Sequence, residues 1–260
     1  MHGLNSYDYG ARQYNPVTAR WDRVDPLAEK YYSVSPYNYC MNNPVRFVDP
    51  DGMKWEDPQE AEILKKNIKD RWDLLIKEAI KIAKKMDKKD ISPEKMNKLW
   101  DQLLEKSEMI NHLSRSIKDI DILDRDVNNT YALSHIDGGK HYVQKGEDGI
   151  IYIQTSSDAF SIHEIAHVRQ SLTSGGLKFK DGYLKNAKVD KGMNAAAKME
   201  IEAYKMQYSF SPASFPYANN IKGINYQSVG NIRDESGKLV YDFINIVAKR
   251  EKIINKIKGN

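Results

Sequence analysis

The sequence predicts an α+β fold, and three observations predict it. Residues 54–127 carry apolar side chains at three- and four-residue spacing, the period of amphipathic helices. Residues 131–155 hold short β-prone stretches bounded by turn-forming residues. A further helical stretch contains His163-Glu164-Ile165-Ala166-His167. Four residues along a helix advance about 400°, so its two histidines project from one face, one turn apart. At 260 residues the chain can hold one or two domains with a sizeable core. Its texture divides into residues 1–53, 54–127 and 128–260.

Residues 1–53 are rich in Tyr, Asn, Pro and Asp, and are punctuated by Asn15-Pro16, Asp25-Pro26, Ser35-Pro36, Asn43-Pro44 and Asp49-Pro50. Such punctuation reads as short strands joined by tight turns. A stretch so small and polar looks like a fragment of something larger. In residues 54–127, Ile63, Leu64, Ile68, Trp72, Leu75, Ile76, Ala79, Ile80, Ala83 and Met86 form one apolar stripe. Ser92-Pro93-Glu94 supplies an N-cap, a first-turn proline and an early acid for a second helix. Its stripe includes Met96, Leu99, Trp100, Leu103, Met109, Ile110, Leu113 and Ile117, so the two helices should form a hairpin.

After residue 128, Asp137-Gly138-Gly139 and Glu147-Asp148-Gly149 flank three predicted strands, Tyr131 to Ile136, His141 to Lys145 and Ile150 to Thr155. They should form a small, mainly antiparallel sheet. Ser156-Ser157-Asp158 offers N-caps for the two-histidine helix, which Gly175-Gly176 should end near Leu172. A later helix, Asn194 to Ser209, turns Ala196, Met199, Ala203 and Met206 inward and Lys198 and Lys205 to solvent. The stretch from Ser211 to Tyr217 reads as a loop forming one cleft wall. Val229 to Ile232 and Lys238 to Tyr241 suggest a hairpin around Glu235-Ser236-Gly237, and residues 241–258 a closing helix with Phe243, Ile244, Val247, Ile253, Ile254 and Ile257 inside.

Charge narrows the function classes. The chain has 40 basic and 36 acidic residues, and residues 54–130 contain 17 of each sign. Balanced signs describe solvated helix faces better than a phosphate-binding stripe, so no nucleic-acid partner is expected. The basic tail, Lys249, Arg250, Lys252, Lys256 and Lys258, reads as a solvated helix end. No apolar run is long enough to cross a bilayer, and no signal peptide is visible. Cys40 is the single cysteine, so no intrachain disulfide can form.

The run YDYGARQYNPVTARWDRVDPLAEKYYSVSPYNYCMNNPVRFVDPDGM closely resembles the C-terminal part of the RHS repeat-associated core, over Tyr7 to Met53. In that family the core closes a large shell of repeated hairpins, and a variable toxin domain follows the DPxG motif. The resemblance therefore implies a toxin module after Met53, delivered into a target cell as part of a larger RHS protein, with a cognate immunity protein as partner. In many members of that family the core also cuts itself after DPxG(L) with two aspartates, which by motif position correspond to Asp25 and Asp49, and here Met53 stands where the family often has Leu. Read from the residues alone, both are Asp-Pro turn positions.

His163, Glu164 and His167 spell HExxH, the zinc-peptidase signature, in which both histidines bind one metal ion and the glutamate serves as general base. A strand running directly into an HExxH helix is the order of zincin peptidases, where an edge strand lines the cleft and pairs with extended substrate. Zinc needs a third protein ligand, and Glu200 and Glu202 flank the apolar stripe of their helix about equally, so periodicity does not choose between them. The arrangement resembles the gluzincin class, whose downstream helix carries ExxA with the first glutamate on zinc. That resemblance implies Glu200 as ligand and leaves Glu202 as a surface acid or an outer partner. Gln170, one turn beyond His167, could orient a ligand. Tyr204, on the Glu200 face, leads the candidates for a second catalytic donor, with His135, His141, Tyr183 and Tyr208 as further options.

The expectation is thus a zincin-like zinc metallopeptidase domain at 128–260, preceded by a helical hairpin and a short β-rich RHS remnant, and acting on a protein substrate. Two other classes are carried beside it. One is an RHS-associated toxin acting on nucleic acid; the other is a non-catalytic effector whose helical hairpin binds a partner or a membrane.

Overall fold

The computed structural model describes residues 7–8, 12–24, 35–37, 39, 55–88, 90–138, 140–185 and 193–257. Among them lie six α-helices and two sheets, an α+β arrangement. The small N-terminal sheet is antiparallel: β1 (Tyr7–Asp8), β2 (Gln13–Asn15) and β3 (Arg20–Trp21). Asn15 accepts from the amides of Val17 and Thr18, which shapes the β2–β3 turn as the Asn-Pro signal suggests. Buried Trp21 is enclosed by the Tyr14 and Tyr39 rings and by the Arg12 guanidinium 4.4 Å above it. Asp25, Cys40, Asp49 and Met53 lie outside the described residues.

The hairpin is present. α1 (Pro58–Met86) starts at Asp57, whose side chain accepts from the Gln59 amide, and α2 (Pro93–Asp124) starts at Ser92, which caps Lys95 in the same way. Leu64, Ile68 and Leu75 on α1 and Met109, Leu113 and Ile120 on α2 are buried. The stripe is narrower than its periodicity suggests, for Ile63, Ile80 and Trp100 are each at least half exposed. α2 also packs on the helices that follow, and one apolar cluster joins the hairpin to the second sheet and the later helices. At the seam, Trp55 pairs with Tyr131 and its indole donates to Asp124.

The second sheet is mixed and has the order β4-β6-β5-β8-β7. β4 (Tyr131–His135) lies parallel to β6 (Ile151–Thr155), and β5 (Tyr142–Lys145) runs antiparallel on β6's other side. The mainly antiparallel sheet thus contains one parallel pair, because the chain crosses over after β4 and returns at the opposite edge of β6. Tyr131, Ile151 and Ile153 are fully buried here. The hairpin β7 (Phe179–Lys180) and β8 (Tyr183–Leu184) extends the sheet beyond β5. It turns at Asp181-Gly182, where both residues have positive φ (53° and 80°), as a two-residue primed turn requires.

Four helices complete the fold: α3 (Asp158–Leu172), α4 (Met193–Phe210), α5 (Tyr226–Gly230) and α6 (Asp242–Ile257). α3 follows β6 directly and is buried on almost every side, by the sheet, α2 and α4. Ser157 starts it, but accepts the first turn's amides through its carbonyl and makes no side-chain cap. Three expectations are corrected downstream. Lys205 on α4 is not free in solvent but pairs with Glu108 of α2 at 2.8 Å. Val229 belongs to α5, capped by Asn225, so the expected hairpin shrinks to the Arg233–Leu239 pairing. Ile253 on α6 is exposed, while Ile244 and Val247 face the core.

Candidate metal centre

α3 and α4 pack against each other, and their contact brings three donors together. His163 and His167 project from the same face of α3, as the helical spacing requires, and Glu200 meets them from α4. All three are buried, Glu200 to 1% exposure. His163 Nε2 and His167 Nε2 lie 3.1 Å apart, and Glu200 Oε2 lies 3.6 Å from the first and 3.4 Å from the second. A tetrahedral zinc with donors at its usual bond lengths separates them by about 3.3 Å. Two imidazole nitrogens and a carboxylate are also the donor set that a zinc-class ion takes from protein. The cluster could hold a metal ion, and its spacing fits one of that size.

Glu202 is absent from this set. Two residues along the helix advance about 200°, so it points away from the Glu200 side, to a place where Arg115 Nη1 lies 2.6 Å and Arg169 Nη2 3.2 Å from its Oε1. Burial would raise its pKa, but Arg169, Gln170 and Arg115 together hold it below the ordinary glutamate value. Gln170 stands between Glu202 and His167, with Oε1 2.9 Å from His167 Nδ1 and Nε2 donating to Glu202 Oε2 at 3.0 Å.

The donors open onto a cleft of about 300 Å³, lined by His141, Tyr142, Val143, Glu164, Tyr183, Leu184 and Tyr241 together with the three ligand candidates. Glu164 lines it as well, while Ile162, Ile165 and Ala166 of α3 face the core. The wall is β5 with the tip of β8, so the strand beside the site is β5. β6, which leads into α3, is central and hydrogen-bonded on both sides, and cannot take a substrate strand. His141 stacks on Phe160 at 3.8 Å and contacts Ser156 Oγ at 2.8 Å. Burial lowers its pKa, against the attraction of nearby Glu164.

The candidate donors separate by position. Tyr204 stands behind the site, its ring edge-on to His163 at 4.3 Å and backed by buried Phe215 at 4.8 Å. The loop from Ser211 to Tyr217 therefore supports Tyr204 and does not wall the cleft. The Tyr204 hydroxyl lies 3.0 Å from that of Tyr241, and it is Tyr241 that reaches the cleft. Burial pushes the Tyr204 phenol up to about 12, and burial with Tyr204 and Glu164 nearby raises that of Tyr241 well above its ordinary value. Both phenols stay protonated as donors. His135, half exposed, faces Asp158 at 3.3 Å, and Tyr208 lies apart from the cleft lining. Tyr142, Val143, Leu184 and Tyr241 were not foreseen; Asp181-Gly182 was a readable turn signal for the strand carrying Leu184, but Tyr241 had none.

No family model matches the chain, and no solved structure matches it. A 46-residue stretch is 48% identical to Salivary gland surface protein 1 of Aedes aegypti, covering 18% of this chain and 1% of that protein's length. The chain therefore spans a small part of that relative. Among the described residues, no helix is long and apolar enough to cross a membrane.

Proposed function

We propose that this chain carries a zincin-like, zinc-dependent endopeptidase, serving as the toxin module of an RHS-type polymorphic toxin that cuts a protein in a target cell. The observation that carries the reading is the buried His163–His167–Glu200 cluster opening on a cleft that also receives Glu164. Zinc, when held by these three residues, supplies a Lewis acid that polarises a carbonyl and acidifies water.

The chain's own groups account for the remaining steps. Glu164 Oε takes the proton of the attacking water and delivers it to the departing amine. The Tyr241 hydroxyl donates to the carbonyl oxygen as it gains charge, and Tyr204 holds Tyr241 in place. The start of β5 at Tyr142 and Val143, which lines the cleft ahead of its Gln144–Tyr183 pairing with β8, receives extended substrate. The described cleft lining includes no Lys or Arg to capture a chain terminus, which favours internal cleavage over removal of a C-terminal residue. The RHS delivery context and the immunity partner rest on the resemblance of residues 7–53 alone.

Purified protein should contain one zinc per chain and cleave peptides from a mixed library, and Glu164→Gln should keep the zinc and lose about 10²–10⁴-fold in rate. A wild type that binds no metal, or a Glu164→Gln variant as active as wild type, overturns the proposal. The exposed apolar Ile80, Trp100 and Leu104 favour a second reading, a non-catalytic effector acting through the hairpin. Under it, toxicity survives loss of both histidines. Degradation of DNA or RNA by the purified chain would instead support the nucleic-acid class.

A further inference from the structure

The side-chain amide of Gln170 is held at three points. Its Nε2 donates to the Met199 carbonyl at 3.1 Å and to Glu202 Oε2 at 3.0 Å, and its Oε1 faces His167 Nδ1 at 2.9 Å. A backbone carbonyl and a carboxylate can only accept, so the amide has one admissible orientation. Turning it over would set Oε1 against two acceptors in a place where Gln170 is 3% exposed. With Oε1 fixed as the acceptor, His167 Nδ1 must carry the proton. A neutral imidazole protonated at Nδ1 has its lone pair at Nε2. That Nε2 is the atom lying 3.1 Å from His163 Nε2 and 3.4 Å from Glu200 Oε2.

We propose that Gln170 is a positioning residue that locks His167 in its Nδ1–H tautomer, presenting the Nε2 lone pair to the metal, with Glu202 as the anchor that fixes Gln170. The inference rests on the reading of His163, His167 and Glu200 as a metal site. Of the two roles left open for Glu202, surface acid or outer partner, it assigns the second. The anchor is itself secured: Arg115 and Arg169 both reach Glu202 Oε1, and Arg169 continues to Asp119 on α2 at 3.1 Å. The line of contacts thus runs from the α2 surface through α4 and α3 to one ligand ring.

The choice of an amide has a physical reason. The position must accept from the ring and donate to a carboxylate at once, which a neutral amide does. A carboxylate at 170 would accept from the ring but face Glu202 with like charge. It should therefore keep the tautomer at a cost in stability.

The test uses the full chain labelled with 15N-histidine, stripped of metal and held at about pH 8, with His167 assigned by loss of its signals in His167→Gln. The wild type should show the Nδ1–H signature for His167. Gln170→Met should lose it and bind zinc about 10–100-fold more weakly, the size of effect seen when such outer partners are removed. Gln170→Glu should restore the signature and part of the affinity, which a purely structural role would not do. An Nε2–H signature in the wild type, or a Gln170→Met variant with wild-type zinc affinity, overturns the proposal. The wild-type signature decides it alone if Gln170→Met does not fold. If zinc fails to bind while the Nδ1–H signature is present and depends on Gln170, the tautomer lock stands and the metal-site reading falls.

Discussion

The hydroxyls of Tyr204 and Tyr241 lie 3.0 Å apart, and this contact joins a residue behind the candidate metal centre to one in front of it. Tyr204 shares the Glu200 face of α4 and packs on His163, so its ring supports one of the candidate ligands. Tyr241 comes from the chain just before α6, and shares the cleft with Glu164. Under the proposed mechanism the donor role expected of Tyr204 is divided into a support, Tyr204, and a tip, Tyr241.

This division predicts unequal losses. Removing the Tyr241 hydroxyl takes away a donor to developing charge and should lower kcat by about 10²-fold with little change in KM. Tyr204→Phe keeps the ring against His163 and should cost roughly tenfold or less, through a looser Tyr241. Steady-state kinetics on one cleaved peptide compare the two. A larger loss for Tyr204→Phe than for Tyr241→Phe would return the donor role to Tyr204.

Glu200 and Glu202 should separate as sharply in metal binding. Glu200→Gln removes a ligand and should abolish stoichiometric zinc, whereas Glu202→Gln should leave one zinc per chain. Zinc that binds only the folded state at about a thousand times its Kd stabilises by about 4 kcal/mol. For a chain of this size that raises Tm by roughly 8–16 °C, and chelation should reverse it. Elemental analysis and thermal melts of both variants, with and without chelator, check the contrast.

The local parts of this site were legible because they depend on helical spacing: His163 and His167 share a face at any helix of that register. The caps at Ser92 and the strands at 131–155 follow from similarly short-range chemistry. Glu200 and Glu202 were not separable by periodicity, since the deciding fact is a neighbour, α2, which brings Arg115 to one side of α4. The placement of β5 between β6 and β8 is likewise a long-range result, and it moved the cleft strand away from β6. Tyr241 reaches the site because α6 packs on α4 and α5, which no spacing within residues 241–258 records.

Asp119 should give stability a distinctive pH dependence. It is 3% exposed and burial raises its pKa to about 6, against the attraction of Arg169. An acid whose folded pKa exceeds its unfolded value stabilises fully below the unfolded pKa, and that contribution is lost as pH rises through the folded value. From about pH 4 to about pH 6, this group should therefore remove up to roughly 3 kcal/mol. Asp119→Asn should flatten that part of the curve relative to wild type. Urea unfolding of metal-free protein across the range measures the difference in slope, and parallel curves would refute the assignment.

The hairpin should prove inseparable from the part that carries the candidate metal centre. Leu113 on α2 is fully buried within the same apolar cluster as Ile153 of β6, Ile162 of α3 and Ala203 of α4. Leu113→Ala deletes three buried carbons from a site that packed helices cannot readily close, so it should cost about 2–5 kcal/mol. Because the cluster is continuous, that loss should lower one transition seen alike by helix content, tryptophan fluorescence and metal release. A hairpin that served only as a spacer would instead melt separately, leaving the zinc-binding transition where it was. A fragment beginning after α2 would then fold and bind zinc. The packing of α2 on α3 and α4 predicts that it does neither, since removing α1 and α2 would expose the apolar side of α3 and leave Arg169 and Glu202 without their partners Asp119 and Arg115.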